Sequence, residues 1–286
     1  MAASFLVKLM FNKRKDERMT KNYEDLTIRD AFMFGKICSI PENRKIILDS
    51  LLQIGLREKS GDVEMQIREY KDSKYTRLDL ISEDESNKIY NAEMQNESSD
   101  KKRQEELPYR ARYYQSIIDT AFFKTGESYL NMPETYIIFI CTFDPYGLGL
   151  PIYTFNTKCT EISLPEYSDK AHKIFFNTTA NLSNLPKDMR NMLEYINTGV
   201  ANDTATKCIN DQIVEARIKD AWRTEYMLTV VHDRDVYTDG YTSRQSEIDA
   251  LNTTIASKDA TIADMDDKLN KLTSLLAKHG INPEEA

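Results

Sequence analysis

Histidine and cysteine are scarce in this chain, three and four among 286 residues. The cysteines, at 38, 141, 159 and 208, have no metal-ligand spacing. They read as buried thiols in a reducing cytosol, and with the scattered histidines they leave no case for a zinc site. Long apolar runs are missing too. None reaches the roughly 18 residues needed to cross a bilayer, so no membrane association is expected. The opening Ala2-Ala3-Ser4-Phe5-Leu6-Val7 is too short for a secretory signal and lacks its cleavage pattern. Positive charge is not in excess: the formal net charge is −8. That argues against nucleic-acid binding by bulk electrostatics, although local basic strips could still hold phosphates. No collagenous, Gln/Asn-rich or solenoid repeat occurs. With 41% hydrophobic and 29% charged residues, the expectation is a soluble, cytoplasmic globular protein of one or two domains.

What is present centres on the stretch 75–95, YTRLDLISEDESNKIYNAEMQ. Tyr75 to Ile81 and Lys88 to Gln95 are rich in β-formers and alternate, with a polar reversal at 83–87 between them. Side chains alternate faces along a strand, so Glu93 and Gln95 point the same way, about 7 Å apart. If the two strands pair, the carboxylate of Asp79 comes within reach of Glu93. Such a cluster is unfavourable unless a positive group sits among them, and a hard divalent cation with oxygen ligands is the simplest candidate. An Asp and a Glu on a hairpin also read as an ordinary solvated face. Against that stand the apolar neighbours Leu78, Leu80 and Ile81, and the setting of Glu93 within Ile89-Tyr90-Asn91-Ala92-Glu93-Met94-Gln95.

Residues 1–20, basic from 8 to 18, read as a disordered extension, or the first eighteen as an overcalled start before Met19. Leu26 to Ile37 predicts a first helix with Thr27 as N-cap. Asp30, Met33 and Phe34 then share one face, although Asp30 also reads as a first-turn residue favoured by the helix dipole. Pro41 to Leu56 predicts a second helix. Val63 to Tyr70 alternates as a strand, and Lys101 to Phe123 reads as a long helix ending near Gly126. Tyr136 to Phe143 is apolar enough for a strand buried on both faces. Ile152 to Phe155, Glu161 to Leu164 and Lys173 to Asn177 look like shorter strands beyond a turn at 144–147. A short helix follows over Lys187 to Asn197. A longer one over Thr206 to about Val231 lies in a helical linker at 201–243, which Asp239-Gly240-Tyr241 interrupts. In the last segment, 244–286, Ile248, Leu251, Ile255, Lys258, Ile262, Met265, Leu269, Leu272 and Leu276 step by three and four. Eight of the nine are apolar, which predicts a coiled coil, with Lys258 as a charged d position. A lone amphipathic helix docked on the domain is the competing reading. Gly280 with Asn282-Pro283 ends the helix.

Taken together, Arg29-Asp30-Ala31-Phe32-Met33-Phe34, Asp79 with Asn91-x-Glu93-Met94-Gln95, Arg112-Tyr113-Tyr114 and the apolar strand from Tyr136 to Phe143 resemble the PD-(D/E)xK nuclease superfamily. The nearest pattern is its recombination-promoting nuclease and putative transposase branch, in which glutamine replaces the motif lysine. The resemblance spans approximately Tyr23 to Phe143. Leu78 stands where the naming proline would be, a position that varies widely in the superfamily.

The resemblance implies an α/β (α+β) restriction-endonuclease-like domain at 21–200, a mixed central sheet flanked by helices, followed by the helical region and coiled coil. It implies metal-dependent hydrolysis of DNA, with Asp79, Glu93, Gln95 and Asp30 as catalytic residues. Asp79, Glu93 and the Met94 carbonyl would be ligands to Mg²⁺ or Mn²⁺, and Arg112, Arg110 and Lys102 would contact DNA. Glutamine cannot act as a base in this range, so Gln95 could only orient water or phosphate. The β-branched a positions favour a homodimer. A nuclease-like DNA-binding domain with weak or no catalysis, or a coiled-coil adaptor on an inherited scaffold, are the alternatives.

Overall fold

The computed structural model describes residues 21–59, 79–96, 101–123, 126–164 and 167–280. Two units divide the chain, one spanning Lys21–Tyr226 and one containing Met227 onward. The first is built on a five-stranded mixed sheet. Its strands are β1 (Leu80–Glu83), β2 (Lys88–Gln95), β3 (Glu134–Cys141), β4 (Ile152–Phe155) and β5 (Ala171–Asn177), in the order β1-β2-β3-β5-β4. The outer pairs are antiparallel and the inner β2-β3-β5 ladder is parallel. Helices α1 (Ala31–Cys38), α2 (Pro41–Leu52), α3 (Lys101–Phe122), α4 (Lys187–Thr198) and α5 (Thr204–Ala216) complete this unit, together with the start of α6 (Asp220–Lys278).

Period-two alternation sorts the sheet residues to two faces. Tyr90, Ala92, Met94, Ile138, Ile140 and Phe176 join the core formed with α1, α2, α4 and α5. Ile89, Ile137, Phe139, Cys141 and Phe175 join the other, with Leu107, Ala111, Tyr114 and Ile118 of α3. Residues 137–141 are all buried, because helices cover both sides of β3. The result is a three-layer α/β/α arrangement. The reversal between β1 and β2 is held by Asp84, whose Oδ1 accepts from Ser86 N (2.8 Å) and Lys88 N (2.9 Å). Asn87 takes the left-handed conformation that closes the turn, with φ of 59°.

Several boundaries differ from the sequence reading. The first helix begins at Ala31 and not at Leu26, since Tyr23–Asp25 forms a 3-10 turn and Asp30 becomes the N-cap position. The second stops at Leu52, where Gln53 adopts a left-handed φ of 58°. Glu161 to Leu164 forms no strand. The expected strand at Val63 to Tyr70, and Tyr75 to Leu78 of the next, lie outside the described residues. Cys38 and Cys141 are buried as expected, but Cys159 and Cys208 are exposed.

The region expected as a linker divides. Helix α5 contributes Ile209, Ile213 and Ala216 to the core, capped by a reciprocal box between Asp203 and Thr206. The chain breaks at Arg217–Lys219 before α6, a break the periodicity did not announce. The first turns of α6 stay with the domain: Lys36 pairs with Glu225, and Tyr23, Phe32 and Tyr226 form an aromatic group with centroids 5.1–6.4 Å apart. The second unit is the remainder of α6. It runs through Asp239-Gly240-Tyr241 without the expected interruption. One glycine costs a helix only about 1 kcal/mol relative to alanine, too little to break a run bonded on both sides. Ile248, Leu251, Ile255, Ile262, Met265, Leu269 and Leu272 are all exposed along it.

Candidate active site

The acid pair is positioned by strand register. Leu80 is opposite Ala92 and Ile81 opposite Asn91; continuing the antiparallel count one step places Asp79 across from Glu93. Both belong to the odd-numbered set that faces α3, together with Asn91 and Gln95. Their backbones and side chains interlock. Asp79 N–H donates to Glu93 Oε1 at 3.1 Å, and Met94 N–H donates to Asp79 Oδ2 at 3.1 Å. Asn91 Nδ2 donates both to Glu93 Oε1 (3.1 Å) and to Leu80 O (3.0 Å). Glu93 is therefore held by two donors of one hairpin, Asp79 N–H and Asn91 Nδ2.

Burial governs its charge. Glu93 is only 3% exposed, and its pKa is pushed from 4.5 up to about 8, first by desolvation and then by the neighbouring Asp79 carboxylate. The bonds from Asn91 and Asp79 N–H, and the Arg110 guanidinium, oppose the rise without cancelling it. Two close carboxylates with a carbonyl beside them make a hard oxygen donor set that a divalent cation fits. The side chains of Asp79 and Glu93, with the Met94 carbonyl, are the groups that could hold one. No cluster of three or more His, Cys, Asp or Glu side chains occurs among the described residues, so backbone and solvent oxygens would complete a coordination shell.

Gln95, at the end of β2, is held at both ends. Its Nε2 donates to Met94 O at 2.9 Å, and its Oε1 accepts from Arg110 Nη1 at 2.7 Å. Arg110 also donates to Tyr114 Oη (2.9 Å), lies over the rings of Tyr114 and Phe139, and comes to 4.0 Å from Glu93 Oε2. Of the basic residues on α3, it is therefore Arg110 that reaches the acid pair. Two positions on, a helix has turned about 200°, so Arg112 is exposed and lies over Tyr109. Lys102 is exposed in the first turn.

Asp30 is placed differently from the expectation that it joins the metal site. Its Oδ2 accepts from Thr27 N (2.7 Å) and Thr27 Oγ1 (3.0 Å) and pairs with Lys21 Nζ (2.6 Å). The carboxylates that influence each other are Asp79 and Glu93. The polarity is also reversed from the sequence reading of Thr27 as a cap: Asp30 accepts and Thr27 donates.

Two participants escaped the sequence reading. Gly35 lies where α1 crosses Asp79, and a Cβ there would meet Asp79 O at 3.3 Å. A glycine inside an apolar helical pattern is a signal of close backbone approach, and it stood one residue past the motif ending at Phe34. Asn91 was visible as a polar side chain two residues from Glu93, hence on its face. It is 0% exposed, and its Oδ1 is buried without a partner among the described residues.

A mixed α/β sheet thus carries Asp79, just ahead of β1, opposite Glu93-x-Gln95 on β2, with α3 beside them. Residues 29–147 match the family model described as PD-(D/E)XK nuclease family transposase. The resemblance read from the motifs thus holds over that segment. No curated protein and no solved structure matches. No helix among the described residues is long and apolar enough to cross a membrane.

Proposed function

We propose that this chain is a metal-dependent DNA endonuclease that hydrolyses phosphodiester bonds at Asp79 and Glu93. The observation that carries the reading is the register-opposed carboxylate pair, in which burial and mutual repulsion leave Glu93 short of a cation. Asp79, Glu93 and the Met94 carbonyl would hold Mg²⁺ or Mn²⁺. Bound there, the cation would supply a Lewis acid for the phosphate and an acidified water as nucleophile.

The chain's own groups do the positioning. Asn91 and the Asp79 backbone orient the Glu93 carboxylate. Gln95 can direct a water or a phosphate oxygen by hydrogen bonding but cannot remove a proton. Arg110 fixes Gln95 and brings to the site a positive charge that glutamine lacks, while exposed Arg112 and Lys102 would meet phosphates further out. Exposed a and d residues on α6 support a homodimer, which would bring two sites to the two strands of a duplex.

The test is plasmid cleavage by the purified full chain with Mg²⁺, Mn²⁺, Ca²⁺ or EDTA, repeated for Asp79→Ala. Nicking or linearisation that needs a divalent ion and vanishes in Asp79→Ala is expected; cleavage retained in that variant would remove Asp79 from the site. A second reading, a nuclease-like DNA-binding protein of low turnover, draws on Gln95 at the lysine position. It predicts metal binding and DNA binding without strand scission.

A further inference from the structure

Away from the acid pair, one open cavity of about 580 Å³ gathers charge of a single sign. Its described walls include Lys21, Arg29, Asn96, Thr198, Asn210 and Arg217, and no acidic side chain is among the described lining residues. The two arginines are held by carbonyls. Arg29 Nη1 donates to Asn197 O at 3.1 Å, and Arg217 Nε and Nη2 both donate to Leu26 O at 2.9 and 2.8 Å. These bonds fix the guanidinium groups without neutralising them. Arg29 Nε is buried and has no acceptor among the described residues, where polar groups are normally paired. Of these three cations, only Lys21 has a carboxylate partner among the described residues, Asp30 at 2.6 Å. Helix α4 ends here at Thr198 and Gly199, and a helix C-terminus opposes an anion with about half a negative charge. Two full guanidinium charges outweigh it.

Asn96 ties this wall to the reaction. It directly follows Gln95, and its Oδ1 accepts from Thr142 Oγ1 at 3.0 Å. The wall thus begins one residue beyond Gln95, at the Glu93–Gln95 end of β2. We propose that the cavity is a phosphate-binding site that seats a backbone phosphate flanking the scissile one. The DNA strand as the source of that phosphate rests on the nuclease reading; the anion chemistry belongs to the cavity itself.

The test uses the full chain in EDTA and a short labelled DNA duplex, with affinity read by fluorescence anisotropy over a range of NaCl. Asn210→Asp keeps the acceptor for the Tyr195 hydroxyl, which reaches Asn210 Oδ1 at 3.4 Å, and adds a negative charge to the wall. It should weaken duplex binding about tenfold at low salt and reduce the slope of log K against log salt by about one. Lys21→Gln should shift both in the same direction by less, and it decides alone if Asn210→Asp lowers the Tm sharply. Unchanged affinity and slope overturn the proposal. So does a wild-type Tm rise with inorganic phosphate that Asn210→Asp abolishes while duplex affinity stays the same, since the source is then not the strand. Cleavage is scored separately. A chain that binds duplex, weakens in Asn210→Asp and cuts nothing keeps the cavity and loses the nuclease reading. Cleavage with equal binding by both proteins does the reverse.

Discussion

Replacing Glu93 by glutamine should stabilise the metal-free protein at high pH and nowhere else. An unfolded glutamate titrates near 4.5, whereas the folded one is pushed up to about 8. Between those values the folded state holds a proton that the unfolded state has released, so wild-type stability falls as pH rises. The interval is 8 minus 4.5, and at about 1.4 kcal/mol per unit it amounts to at most about 5 kcal/mol above pH 8. Glutamine keeps an oxygen for Asp79 N–H and Asn91 Nδ2 but surrenders the attraction of Arg110 and brings a new amide donor. A net gain of about 2 kcal/mol near pH 8.5, vanishing near pH 5, is therefore expected. For a domain of this size that corresponds to a Tm rise of about 4–8 °C. Calorimetry in EDTA from about pH 5 to 9 measures it. Added Mn²⁺ should then raise the wild-type Tm and leave the variant nearly unmoved. Parallel Tm–pH curves, or an equal metal response in both proteins, would refute the account of a buried acid held for a cation.

Three further outcomes follow from the geometry. Arg110→Ala frees Gln95 Oε1 and removes the charge 4.0 Å from Glu93; cleavage should drop by about 10- to 100-fold (~1.4–2.7 kcal/mol of barrier), with Arg110→Lys falling between, as read from nicking rates. Gly35→Val drives side-chain atoms into Asp79, whose carbonyl already lies 3.3 Å from the position of a Cβ, and should cost about 1–3 kcal/mol by denaturant melt together with a weaker Mn²⁺-induced Tm shift. Truncation after Ser243 should turn a dimer into a monomer by light scattering, because the exposed heptad residues from Ile248 onward are removed; a full-length chain that is already monomeric would refute the dimer.

The sequence by itself determined the strand over Lys88 to Gln95, the reversal before it, the strand over Ile152 to Phe155 and the long helix from Lys101. These are local: period-two alternation, turn residues and a 3.6-residue stripe are written in neighbouring positions. The same periodicity put Glu93 and Gln95 on one face, and the fixed length of the turn set Asp79 opposite Glu93 once the strands paired. What the tertiary structure decided was which charges meet. Arg110 and Arg112 are equivalent in composition, and only the docking of α3 on the sheet turned Arg110 toward Gln95. Asp30 looked like a ligand on a helix face, yet the chain begins α1 later and spends that carboxylate on Thr27 and Lys21. Arg29, Arg217 and Asn96 share a cavity although Arg29 and Arg217 lie 188 positions apart, a juxtaposition no local pattern encodes. Helix α5 looked like linker because its apolar positions serve a core made from distant elements. Side-chain direction follows from local backbone geometry, but partners across layers depend on how those layers pack, and packing is a property of the whole chain.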